Sequence, residues 1–208
     1  MNRLRRNEED YYMFAGHFGI AAIVKAKYQE VPTWALLIST QLLDILFVPL
    51  YISGIETMEP VGSGTGYGET IIHANYTHSL VGALLIAIIA GLLAGWSWGK
   101  RIGYIIGGIV FSHWILDLLV HRSDLPILPG NLGNFALLGF GLWKSPVISA
   151  GLESILVVLG TFLYARSALI RAKTTTGNHS RETNKSRAMV ASVVMGVFLI
   201  LSLLSNWI

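Results

Sequence analysis

His113, Asp117 and His121 recur at intervals of four residues inside an otherwise apolar run, Ile102 to His121. On an α-helix this spacing stacks the three along one face, about one turn apart. The residues between them are Trp, Ile, Leu and Val, which suit a helix in lipid or in packed protein. An ionisable group in such a run is costly and marks a functional site turned toward the bundle interior. The chain has no cysteine, so a metal here must be held by His nitrogen and carboxylate oxygen. The helix reads as one wall of a metal site.

The remaining ligand-type residues must be brought to that wall by other apolar segments. The chain has 208 residues, 53% of them hydrophobic and only 13% charged, against roughly 25% charged in a soluble domain. Its mean hydropathy is +0.57. These values place it in the membrane class. The fold expected is an all-α, polytopic transmembrane bundle of about five to six membrane helices. The formal charge of +3 is small, and no nucleic-acid partner is expected.

Residues 1–11 form a charged tail with no cleavable signal behind it. A membrane-embedded helical metal-site domain is expected over 12–165, a basic cytoplasmic linker over 166–188 and a C-terminal transmembrane helix over 189–208. The first hydrophobic element, Tyr12 to Tyr28, is either a minimal span or a re-entrant helix, and holds His17. The second, Trp34 to Ile52, carries Asp44 near its middle. A polar loop, Ser53 to Tyr76, contains Glu56, Glu59 and Glu69 and a flexible glycine run at 62–68 that is no nucleotide fingerprint. The third segment starts at His78–Ser79 and runs to Trp96, and Lys100–Arg101 makes a tight basic turn into the fourth. The connection 122–146 is either a re-entrant piece covering the site or a surface loop. The fifth segment, Val147 to Ala165, contains Glu153.

The basic residues of 166–187 and of the Lys100–Arg101 turn set the orientation, with those segments cytoplasmic. His17, Asp44, His78, His113, Asp117, His121 and Glu153 then fall in the outer half of the bundle. Seven ligands exceed the needs of one four-coordinate ion, so two ions bridged by a carboxylate fit. Such a pair lowers the pKa of a water and clamps phosphoryl oxygens, as hydrolysis requires. Arg122 beside the ligands can hold a phosphate through its bidentate fork, with Asp44 or Glu153 orienting or deprotonating the water.

The Tyr-Thr-His-Ser run at 76–79, the Ser-His-x-x-x-Asp run at 112–117 and Gly16–His17 resemble the YdjM-like family of bacteria and archaea. Its members are classed as membrane-bound metal-dependent hydrolases and are sometimes labelled LexA-binding inner-membrane proteins. The resemblance covers roughly residues 14 to 165. That family is distantly similar to zinc-dependent phospholipase C and the P1-type nucleases, which implies their helical core and a zinc cofactor. By that likeness Asp44, His78, His113 and Asp117 would complete one site, and Asp117 would bridge to a second ion shared with His17. Glu153 matches the last ligand position, but Ser149 stands where its partner His should be, and His121 is a stand-in for the remaining His. One or two zinc ions are therefore expected, rather than three.

The function expected is hydrolysis of a phosphoester of a membrane lipid near the outer leaflet of a prokaryotic plasma membrane. The alternatives are a transporter or proton-handling protein using the same His/Asp cluster, and a non-catalytic protein with a structural metal.

Overall fold

The computed structural model describes residues 15–61, 70–174 and 178–205. The charged tail at 1–11, the glycine run at 62–68 and residues 175–177 of the basic linker lie outside the described residues. Seven α-helices carry the described chain: α1 (Ala15–Lys27), α2 (Thr33–Thr40), α3 (Leu42–Ile52), α4 (Leu80–Trp98), α5 (Lys100–Val120), α6 (Pro146–Thr174) and α7 (Asn178–Ser205). A small antiparallel hairpin, β1 (Thr57–Pro60) and β2 (Thr70–His73), pairs Thr57 with His73 and Pro60 with Thr70.

Four helical stretches are long and apolar enough to cross a bilayer: Leu80–Trp98, Lys100–Val120, Val147–Thr174 and Glu182–Leu204. The pair α2–α3 makes a fifth if its two halves, bent by 50°, form one span. Their outer faces are apolar: Leu92 on α4 is 69% exposed and Val158 on α6 is 66% exposed. A chain with this many apolar faces turned outward is a membrane protein. The spans number four or five. The first hydrophobic element yields α1, whose 13 residues rise roughly 20 Å, short of the ~30 Å hydrocarbon core.

α1 is nevertheless central. Ala15 and Ala22 pack with Val157 of α6 and with Met195 and Leu199 of α7. Ala21, on another face, packs with Leu36 of α2 and with Ile106 and Ile109 of α5. Contact with α6 is close because glycine faces backbone. A Cβ on Gly160 would lie 2.6 Å from the Gly19 carbonyl oxygen, and one on Gly19 would lie 2.7 Å from that of Leu156. α4 and α5 form a tight hairpin through Gly99 by the same device: a Cβ on Gly103 would meet the Gly95 Cα at 2.8 Å. The hairpin buries Ala83, Ala87, Val110 and Trp114 with Leu43 of α3.

Four local structures differ from the sequence expectation. The second segment is broken at Gln41 (φ −116°, ψ 9°) rather than continuous. The polar loop contains the β1–β2 hairpin, for which Thr70, Ile71 and Ile72 supply β-branched residues. Lys100 and Arg101 are the first residues of α5, the turn itself being Gly99 (φ 93°). The basic linker is helical through Thr174 and again from Asn178; Ala, Leu, Arg and Lys favour helix in the first stretch, and the second opens the long apolar α7.

Candidate metal centre

Five residues from four elements converge at one end of the bundle. Asp117 of α5 lies at their centre. Its Oδ1 is 3.5 Å from His17 Nε2 of α1. Its Oδ2 is 3.1 Å from His113 Nε2 and 3.5 Å from His78 Nε2. Asp44 Oδ1, on α3, is 3.3 Å from His78 Nε2 and 3.5 Å from His113 Nε2. Two overlapping triads result, His17–His113–Asp117 and Asp44–His78–His113, each with ligand atoms within 4.8 Å of one another. The buried His/Asp groups can hold a metal ion.

The break at Gln41 serves this end twice. It starts α3 so that Asp44 falls in the first turn, and it presents the Thr40 carbonyl, 2.6 Å from His113 Nδ1. A carbonyl only accepts, so Nδ1 carries a proton and donates it. The neutral ring then turns a bare Nε2 toward two carboxylates, which also only accept. Either a second proton or a cation must sit between them. Asp117 Oδ2 is buried and meets no donor in hydrogen-bonding geometry, although His113 Nε2 is 3.1 Å away. A metal ion held by these residues would satisfy both atoms.

His78 is set by a longer relay. Glu56 is fully buried and accepts the backbone N–H groups of Tyr76 and Thr77 at 2.8 and 2.9 Å. It also accepts the Thr77 hydroxyl, 2.9 Å from Oε2. With its proton directed to Glu56, the Thr77 oxygen accepts from His78 Nδ1 at 2.8 Å. His78 Nε2 is thereby left bare toward Asp44 and Asp117. Trp114 Nε1 donates to the His78 carbonyl at 2.8 Å, which fixes the backbone of the same residue. Such partners of ligating histidines set tautomer and ring direction.

His121 caps α5 and repeats the arrangement. Its Nδ1 lies 3.0 Å from Asp124 Oδ1, while Asp124 Oδ2 accepts the N–H of Ile72 in β2. The His121 ring packs on Trp143, centroids 4.3 Å apart, and its centroid is 6.4 Å from that of His78. Burial disfavours the charged imidazolium. The hydrogen bond to Asp124 and the nearby carboxylates outweigh this and raise its pKa above the ordinary value.

A cavity of about 290 Å³ opens onto the cluster. His17, Asp44, His78, Asp117 and His121 form its polar side. Phe47, Val48 and Tyr51 of α3, Met58 and Ile72 of the hairpin, and Trp143 form its apolar side. Val48 and Tyr51 are half exposed, so this wall also faces the surroundings of the bundle. The connection 122–146 is irregular and lies over this end. Its Pro126 and Ile127 carbonyls accept the first N–H groups of α4.

Three sequence candidates, His121, Glu153 and Arg122, stand outside both triads, and of the three His121 lines the cavity. Glu153 is fully buried and accepts the N–H of Gly16 at 3.3 Å, which braces the turn bearing His17. Neither it nor Arg122 lines the cavity. Ser79 is the N-cap of α4, accepting the Gly82 N–H at 3.1 Å. Glu56, Thr40, Thr77 and Asp124 escaped sequence reasoning as members of the site.

Compared with protein-family models, curated proteins and solved structures, the chain matches none.

Proposed function

We propose that this chain is an integral membrane, metal-dependent hydrolase that holds one or two zinc ions among His17, Asp44, His78, His113 and Asp117. Its substrate is a membrane lipid bearing a phosphoester. The observation that carries the reading is Asp117, whose two carboxylate oxygens face different histidines while Oδ2 has no proton donor. That is the arrangement of a carboxylate shared between adjacent cations. Zinc suits a nitrogen- and oxygen-only donor set. When bound it supplies Lewis acidity, lowering the pKa of water and polarising a phosphoryl oxygen.

The chain's own residues supply the rest. Asp44 is the more accessible carboxylate, its side chain 30% exposed at the cavity, and it orients or deprotonates the water. The apolar wall of Phe47, Val48 and Tyr51 receives an acyl chain entering from the side of α3. Glu153 acts through Gly16 on the position of His17. The resemblance to the YdjM-like family gives the same ligands and the same reaction class.

Orientation follows from charge. Lys25, Lys27, Lys100, Arg101, Arg171 and Lys173 all sit at the helix ends remote from the cluster. Basic ends tend to stay cytoplasmic, which supports a reading with the site toward the extracytoplasmic side, and the membrane we propose is a prokaryotic plasma membrane. The test is a phospholipid panel in mixed micelles with metal-loaded protein, with and without a chelator. Release of a phosphorylated head group or of diacylglycerol that stops on chelation is expected. No product from any phospholipid or generic phosphodiester overturns the reaction while leaving the metal site standing.

A further inference from the structure

A second pocket lies at the opposite end, in the groove between the last turns of α1 and α6. Ile23, Val24, Leu163 and Ile170 line its floor, and Lys27, Arg166 and Arg171 border it, with no carboxylate among the lining residues. The groove is braced from below. Arg171 Nη1 donates to Ser167 Oγ at 2.6 Å, and that hydroxyl donates to the Ala26 carbonyl at 2.6 Å. Lys25 is turned away, its Nζ donating to the carbonyls of Gln29 and Val31 at 2.8 and 2.7 Å. Glu30, the nearest acid on this segment, pairs with Arg101 at 3.3 Å. Burial, and then the like charge of Arg171, hold the Lys25 pKa below the ordinary lysine range.

We propose that this groove binds an anionic phospholipid, its phosphate among Lys27, Arg166 and Arg171 and one acyl chain along Ile23, Leu163 and Ile170. Charge complementarity and amphipathic shape argue for this occupant. Three cations match a head group of net negative charge, and the apolar floor continues into the helix faces that lie in lipid. A free anion would satisfy the cations and leave the floor bare, and a zwitterionic lipid would bring its own cation into a groove without carboxylates. The inference is independent of the metal centre, which lies at the other end of α1.

The test is native mass spectrometry of the full chain in detergent with a chelator present, so that no turnover occurs. Phosphatidylglycerol and phosphatidylcholine of identical chains compete, with glycerol phosphate as the tail-less control. Wild type should retain phosphatidylglycerol in preference to phosphatidylcholine, and glycerol phosphate should not displace it. Lys27→Ala with Arg166→Ala should lower retention about fivefold for each cation removed, roughly 25-fold together. Lys100→Ala with Lys173→Ala, exposed cations outside the groove, should leave it unchanged. Circular dichroism confirms that each variant is folded. Should the double variant fail to fold, Ile170→Glu, which places a carboxylate at the groove, should abolish the preference alone. Equal retention of the two lipids, displacement by glycerol phosphate, or equal loss in the two double variants overturns the proposal.

Discussion

The two ends of the bundle carry charge in opposite ways. At the His/Asp end most of the clustered groups are buried: His17, His113, Asp117 and Glu56 are each at most 4% exposed, with Asp44 the open member at 30%. Every one is held by a named neighbour. At the basic end, the Arg101–Glu30 pair lies in the open, with side chains 74% and 42% exposed. The contrast teaches where function is invested. Burying charges costs several kcal/mol per ion unless geometry repays it, and a chain keeps such a cluster where its chemistry is needed. Exposed charge costs little.

Substitutions break or sharpen this contrast. The largest effect is expected at Asp117. Asp117→Asn keeps the shape, removes the shared charge and should lower metal affinity more than about 100-fold, beyond the usual range for a residue behind the ligands. Titration with a competing chelator measures it, and unchanged affinity would remove Asp117 from the site.

Glu56→Gln comes next and is more discriminating. An amide in place of Oε2 donates to Thr77, whose hydroxyl must then point at His78 Nδ1. The ring is pushed into the other tautomer, with a proton on Nε2. Metal affinity should fall about 10- to 100-fold, while the far-ultraviolet circular dichroism stays helical. A variant that binds metal normally would reduce the relay to a structural contact.

Gly160→Ala tests the scaffold between the ends. Its methyl would press on the Gly19 carbonyl, and forcing α1 from α6 should cost about 1–3 kcal/mol of stability, read as a lowered midpoint of thermal unfolding. Arg101→Ala marks the opposite extreme. Loss of its exposed pair with Glu30 should change stability by about 0–1 kcal/mol and leave metal affinity unaltered.

The gathering of His17, Asp44, His78, His113 and Asp117 was legible in the sequence. Helical spacing and depth along each apolar segment determine which leaflet a side chain reaches, and close helix packing does the rest. The supports behind them were not legible. The Thr40 carbonyl has no side-chain signature, and its role depends on a helix break at Gln41 marked by neither glycine nor proline. Glu56 sits in a polar, acidic stretch, where a carboxylate reads as solvated. Only the fold of the hairpin and the Tyr76–Thr77 backbone donors bury it. Glu153 was legible by its depth in α6, whereas its contact with the Gly16 N–H, one residue from His17, has no signature in the spacing of either segment. The membrane class was legible from composition, whereas the full length of α6 was obscured by basic residues that favour a helix and a linker equally.

Elemental analysis of detergent-purified wild type and His113→Ala tests the central claim most directly. One or two zinc-type ions per wild-type chain are expected, falling in a His113→Ala protein that remains helical. Wild type that holds no divalent metal after reconstitution would contradict the metal centre and leave the buried cluster as a hydrogen-bonded or proton-carrying core.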